Sequence, residues 1–251
     1  MISHLIRFAL PSLLVLMLAI STTEKKVPRF EPVMVQFEEQ DRLNPPPKNA
    51  ILFVGSSSIR VWHDLEEQFS DLPIIERGFG GSHMSDLLRY ASRIVIPYEP
   101  RLVVVYEGDN DIAAGKPPER VAGQFQKLIE RVREEVPEAR FAFISIKPSG
   151  DRREFMPVMD EANRLIQEIA AQDAGVSYVD VWTPMLDERG EPRHELFLED
   201  SLHLNQEGYE LWRQVIAPHL YEMVDSTFVL DGVASARVEQ LRTAWGFKVG
   251  S

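Results

Sequence analysis

Three serines follow a glycine at the end of a short apolar run: Ala50 to Val54, then Gly55-Ser56-Ser57-Ser58-Ile59-Arg60. Val61, Leu65 and Phe69 recur afterwards on one helical face, so the stretch reads as a strand, a tight turn and a helix N-terminus. Such a junction sets hydroxyls at the C-terminal edge of a parallel strand, beside the partly positive end of a helix, where α/β proteins bind and transform ligands. A serine hydroxyl is a poor nucleophile unless a base removes its proton, and an imidazole with an ordinary pKa of ~6.5 does so at neutral pH. Serine is also a favoured N-cap. Taken by itself, the turn is better explained by three hydroxyls that only satisfy orphan N–H groups.

The elements that must position this turn follow from hydrophobic periodicity. Apolar runs at Ile51–Val54, Ile74–Ile75, Leu102–Tyr106, Phe141–Ile146 and Val176–Val181 predict five strands. Between the third and fourth, Val121, Phe125, Leu128, Ile129 and Val132 repeat at helical spacing. Met159, Ala162, Leu165, Ile166 and Ile169 do so between the fourth and fifth. Strands alternating with helices imply crossover connections and a parallel sheet. A last strong helix carries Leu211, Trp212, Val215, Ile216, Leu220 and Met223, and should pack on that sheet.

The chain has 251 residues, 27 of them basic and 39 acidic, for a formal net charge of -12, which argues against a general nucleic-acid or anionic-membrane surface role. There is no cysteine, so thiolate nucleophiles, zinc ribbons and disulfides are excluded. Residues 1–21 read as a secretory leader or N-terminal membrane anchor: His4 and Arg7 precede an apolar run from Phe8 to Ile20, and Ala19-Ile20-Ser21 offers a small-x-small cleavage pattern. Either outcome places the domain outside the cytoplasm, periplasmic or secreted, with any membrane attachment confined to that segment. Residues 22–47, with scattered charge and Pro45-Pro46-Pro47, read as a linker; 48–225 as one globular domain; and 226–251 as a tail in which Val238, Leu241 and Trp245 suggest a weak satellite helix.

Several familiar signatures begin and then break. Ile59 stands where the α/β-hydrolase nucleophile elbow needs its second glycine. Gly78-Phe79-Gly80-Gly81-Ser82-His83 lacks the last glycine of a dinucleotide fingerprint, and Asp109-Asn110-Asp111-Ile112-Ala113 fails as a calcium loop at Ala113. The histidines have no metal-ligand spacing, so neither a metal nor a cofactor is expected.

Four pieces remain, each at a predicted strand end or helix entry: Gly55-Ser56-Ser57, Gly78-Phe79-Gly80-Gly81, Gly108-Asp109-Asn110-Asp111 and Asp200-Ser201-Leu202-His203. Together, in this order from about Ile51 to about Met223, they resemble the SGNH hydrolases, also called GDSL esterases. The resemblance implies a three-layer α/β/α, flavodoxin-like fold with a five-stranded, mainly parallel sheet. It assigns Ser57 as nucleophile, His203 as base and Asp200 as the carboxylate that fixes the imidazole tautomer. Its oxyanion donors fall on the N–H of Ser57, the N–H of Gly81 and the side-chain amide of Asn110. Two positions depart from the family's pattern: Ser56 replaces the usual Asp before the nucleophile, and Glu76 stands where an Asn often precedes the glycine turn. Trp62, Phe79, His83, Met84 and Lys147 lie beside the motifs and are explained equally by pocket lining and by packing or solvated surface. The implied function is a serine esterase or lipase that cleaves acyl esters through an acyl-enzyme, with an O-acyl sugar or lysophospholipid as substrate. The alternatives are an acyltransferase using the same acyl-enzyme and a non-catalytic carbohydrate-binding protein.

Overall fold

The computed structural model describes residues 27–223. The expected leader and C-terminal tail lie outside the described residues. Five strands, β1 (Ile51–Gly55), β2 (Ile74–Gly78), β3 (Leu102–Tyr106), β4 (Arg140–Ile144) and β5 (Val176–Val179), form one sheet in the order β2-β1-β3-β4-β5. Every pairing is parallel, with Ile51 opposite both Ile74 and Leu102. This is the flavodoxin-like order. β1 and β3 are buried along their whole length, which is why they read as unbroken apolar runs rather than as alternating ones.

Successive side chains of a strand point to opposite faces, and the sheet therefore feeds two cores. Leu52, Val54, Val103, Val105, Phe141 and Phe143 pack against α4 (Met84–Ile94), α6 (Pro118–Arg133) and α7 (Met156–Gln172). Ile51, Phe53, Leu102, Val104 and Ala142 pack on the other side, against α2 (Ser57–Arg60), α3 (Leu65–Gln68) and α8 (Gln206–Met223). Fully burying a Leu or Phe contributes roughly 1.5–3 kcal/mol. Helix α6, which buries Val121, Phe125, Leu128 and Val132, is thus held by packing more than by its own propensity.

The first crossover, from β1 to β2, runs one way, and the remaining connections run the other. The strand order therefore reverses between β1 and β3, and their C-terminal ends open a crevice there. The short helix α5 (Asp109–Ala113) follows β3 at that crevice.

Two sequence expectations need correction. The linker assigned to residues 22–47 contains a helix, α1 (Glu31–Leu43), started by Pro32 in its first turn. Only Phe30, Met34 and Phe37 are buried there, a stripe too narrow to stand out as periodicity, and polar ties complete the docking. Arg93 of α4 reaches Glu31 at 2.8 Å and Glu38 at 2.6 Å, while Asp41 holds both Arg77 and, at 2.6 Å, the Tyr98 hydroxyl. The single helix expected after Ser57 is split into α2 and α3. Trp62 turns into the core between them, against Phe53, Phe69, Tyr209 and Trp212, and carries the chain off the helical path.

Candidate active site

Gly55 ends β1 at φ +149°, and a β-carbon there would lie 2.0 Å from the Tyr106 carbonyl oxygen of β3. Only glycine lets the two strands close at this point. Its carbonyl accepts the Phe79 N–H at 2.8 Å, and the Ser56 N–H donates to Tyr106 at 3.1 Å. The chain thus leaves the sheet pinned to both neighbouring strands, and Ser57 opens α2 above the crevice.

The three hydroxyls have separate fates. Ser56 is the N-cap residue of α2 but makes no side-chain capping bond, and its Oγ is buried without a partner. Ser58 is also buried, its carbonyl accepting the Tyr209 hydroxyl at 2.8 Å. Ser57 alone is partly exposed, and its Oγ lies 3.1 Å from Nε2 of His203, 146 residues away in sequence.

His203 sits in the loop ahead of α8. The other ring nitrogen, Nδ1, is 2.6 Å from Asp200 Oδ2, and Asp200 Oδ1 accepts the N–H groups of Leu202 and His203, both at 2.9 Å. Burial alone would raise the Asp200 pKa, but the His203 ring and these two N–H donors together bring it down to about 2. A permanent carboxylate on Nδ1 holds the imidazole with Nε2 free to accept a proton. The loop is shaped locally: Ser201 takes φ 53°, Leu198 N–H donates to the His203 carbonyl at 2.8 Å, and Asn205 Oδ1 accepts the Gly208 N–H at 3.0 Å to cap α8.

The Gly78–Gly81 turn and the start of α5 face the same crevice. Among the described residues, the N–H groups of Ser57 and Gly81 donate to no backbone carbonyl. Asn110 Nδ2 gives one hydrogen to the Ser82 carbonyl at 3.0 Å, which leaves the other available. Its Oδ1 accepts Arg152 Nη2 at 2.8 Å, a charge-assisted bond that fixes the amide's orientation and strengthens its N–H as a donor. The Ser82 hydroxyl bonds Glu107, whose pKa burial pushes well above the carboxylate range and whose second oxygen finds no partner. Sequence reasoning passed over Arg152, Ser82 and Glu107. Arg152 lies 42 residues from Asn110, and no local pattern announces a contact made only by folding.

The acidic residues flanking Asn110 are engaged by the chain's own cations. Asp109 lies 3.4 Å from Arg152 and 3.7 Å from Lys147, and Asp111 pairs with Lys116 at 3.0 Å while accepting the Met84 N–H at 3.0 Å. Lys147 is buried, which lowers its pKa against the opposing pull of Asp109. No group of three or more His, Asp or Glu residues suited to a metal ion occurs among the described residues. Of the other flanking positions, Trp62, Phe79 and Met84 are core residues, and His83 contacts Lys116.

An open parallel sheet with hydroxyl, imidazole and carboxylate in series at its switch point defines the class: an α/β protein with the parts of a serine hydrolase. The chain belongs to the GDSL-like lipase/acylhydrolase family, whose sequence profile matches residues 52–211. It is therefore an ester hydrolase by class. It is 27% identical over 167 residues to platelet-activating factor acetylhydrolase IB subunit alpha1 of Bos taurus, across 63% of this chain and 69% of that protein. In fold it resembles a GDSL-like lipase from Bacteroides thetaiotaomicron, with a TM-score of 0.65 at 19% identity over 76% of this chain and 98% of the other. It also resembles an acetylxylan esterase from Geobacillus stearothermophilus, with a TM-score of 0.56 at 15% identity over 74% and 99% of the two chains.

Proposed function

We propose that the protein is an extracytoplasmic serine esterase in which Ser57, His203 and Asp200 cleave small acyl esters through an acyl-enzyme. One observation carries this reading: Ser57 Oγ at 3.1 Å from His203 Nε2, with Asp200 2.6 Å from the opposite ring nitrogen. Ser57 Oγ attacks the ester carbonyl carbon as its proton passes to Nε2, and the carbonyl π electrons become an oxyanion. The N–H groups of Ser57 and Gly81 and the free amide hydrogen of Asn110 receive that charge. Collapse expels the alcohol, which takes the proton from His203, and water then repeats the sequence on the acyl-serine. The names of the bovine and Geobacillus relatives both specify acetyl esters, which supports a short acyl group on a sugar or lipid-like alcohol. The apolar N-terminal segment supports a location outside the cytoplasm.

The purified protein should label stoichiometrically with a fluorophosphonate and release acetate from acetyl esters, while Ser57→Ala should lose both reactions. Loss of labelling in Ser56→Ala or Ser58→Ala with labelling retained in Ser57→Ala would refute the assignment. Acyl transfer to an added alcohol in preference to water would make the enzyme a transferase.

A further inference from the structure

Two arginines lie over the same glycine turn, and nothing in the catalytic scheme uses them. Arg60 closes α2, three residues after Ser57, and a β-carbon on Gly80 would meet its Nε at 2.7 Å and its Nη2 at 3.2 Å. Arg29 arrives from the segment before α1, and a β-carbon on Gly81, at φ +75°, would meet its Nη2 at 2.7 Å. The two bare glycines are therefore covered by guanidinium groups rather than by their own side chains. One of them, Gly81, supplies a proposed oxyanion donor.

Both side chains are exposed, and among the described residues neither has a carboxylate partner. Arg29 instead rests on the Phe30 ring, 4.8 Å from its centroid, and Phe30 packs edge-on against Phe79 at 5.1 Å. Glu76, at the entry to the turn, accepts the Gly78 N–H at 2.9 Å, and burial raises its pKa. Arg77, Arg93, Arg133 and Arg152, by contrast, are each paired with an acid. Two unpaired guanidinium groups thus stand at one lip of the crevice, opposite in sign to the chain's net charge of -12.

We infer that Arg29 and Arg60 bind an anionic group of the substrate, a phosphate or carboxylate carried within a few bonds of the scissile ester. Planar guanidinium forks suit both groups, and their place beside Gly81 fixes the anion close to the reacting carbonyl. This deepens the esterase reading and rests on it. The anion can sit on either side of the ester, in the acyl group or in the departing alcohol.

The test uses matched pairs of esters. 4-Nitrophenyl hemisuccinate against 4-nitrophenyl acetate probes an acyl-side carboxylate, and acetylated glycerol phosphate against monoacetylglycerol probes a phosphate on the alcohol. The wild type should favour the anionic member of at least one pair at least tenfold in kcat/KM. In Arg29→Gln/Arg60→Gln that ratio should fall at least tenfold, and in the wild type it should shrink as salt is added. The pair that responds identifies the side. Equal kcat/KM values within both pairs, or a preference that survives in the double variant, overturns the inference while leaving the esterase intact. If no ester is turned over and no fluorophosphonate label appears, the esterase reading itself fails. Calorimetry with glycerol phosphate and with succinate, on wild type and double variant, then decides the anion site: binding confined to the wild type supports it, and absent or unchanged binding ends it.

Discussion

Asn110 is where a single side chain separates two chemistries. An oxyanion donor strengthens its hydrogen bond only as charge develops, so Asn110→Ala should lower kcat by about 100- to 1000-fold, roughly 2.7–4 kcal/mol, with little change in KM. EDTA should leave wild-type turnover unaltered; loss in EDTA with recovery in a divalent cation would assign the Asp109–Asp111 stretch to a metal instead. Substituting Asp109 or Asp111 cannot make that distinction, because both carboxylates hold buried or half-buried cations of the fold. Arg152 acts through Asn110, to whose Oδ1 it donates at 2.8 Å. Arg152→Ala should therefore lower kcat with KM preserved, by less than Asn110→Ala does. In the double variant it should add almost nothing, and full additivity would show that Arg152 works elsewhere.

At the scale of elements, α1 is the strap that brings Arg29 to the glycine turn. Met34 is fully buried and Phe37 nearly so, between the helix and the face carrying α4. Met34→Ala should cost about 2–5 kcal/mol of stability, measured as a lowered urea midpoint with an unchanged m-value. A cost within about 0.5 kcal/mol, typical of surface positions, would mean that α1 contributes little to the fold. The strand β2 illustrates why polar residues conceal an element. Sequence periodicity marks only Ile74 and Ile75, yet the strand runs to Gly78, because Arg77 is buried on Tyr98 Oη at 2.7 Å and on Asp41. Neither partner adjoins it in sequence.

The whole molecule responds to pH through groups whose pKa values the fold displaces in opposite directions. Asp200 is held at about 2, so its contribution is complete above the ordinary aspartate range and is lost as pH falls towards 2. Burial pushes Glu107 well above the ordinary glutamate range, so the folded chain keeps a proton that the unfolded chain releases. Stability then falls as pH rises from that ordinary range towards the folded pKa. Glu107→Gln removes the titration while retaining the shape. Its melting temperature relative to wild type should climb as pH rises above the ordinary glutamate range of about 4.3. A difference independent of pH would show that Glu107 is ionised in the folded protein.

The sequence alone determined the strand and helix alternation from Ile51 onwards, and with it the parallel sheet, because strands buried on both faces and helices buried on one leave strong periodic signals. Through four short pieces in family order, it also determined which residues to look for at the crevice. The tertiary structure decided what spacing cannot encode. Register against Gly55 singles out Ser57 in the sequence; the fold, with β1 clamped between β2 and β3, brings its Oγ to 3.1 Å from Nε2 of His203, 146 residues away. Asn110 gained Arg152, Ser82 gained Glu107, and the glycine turn gained Arg29 and Arg60, all from segments remote in the chain. Periodicity reports how an element meets the core. Contacts between polar side chains at the ends of different elements depend on where the whole backbone has placed those ends.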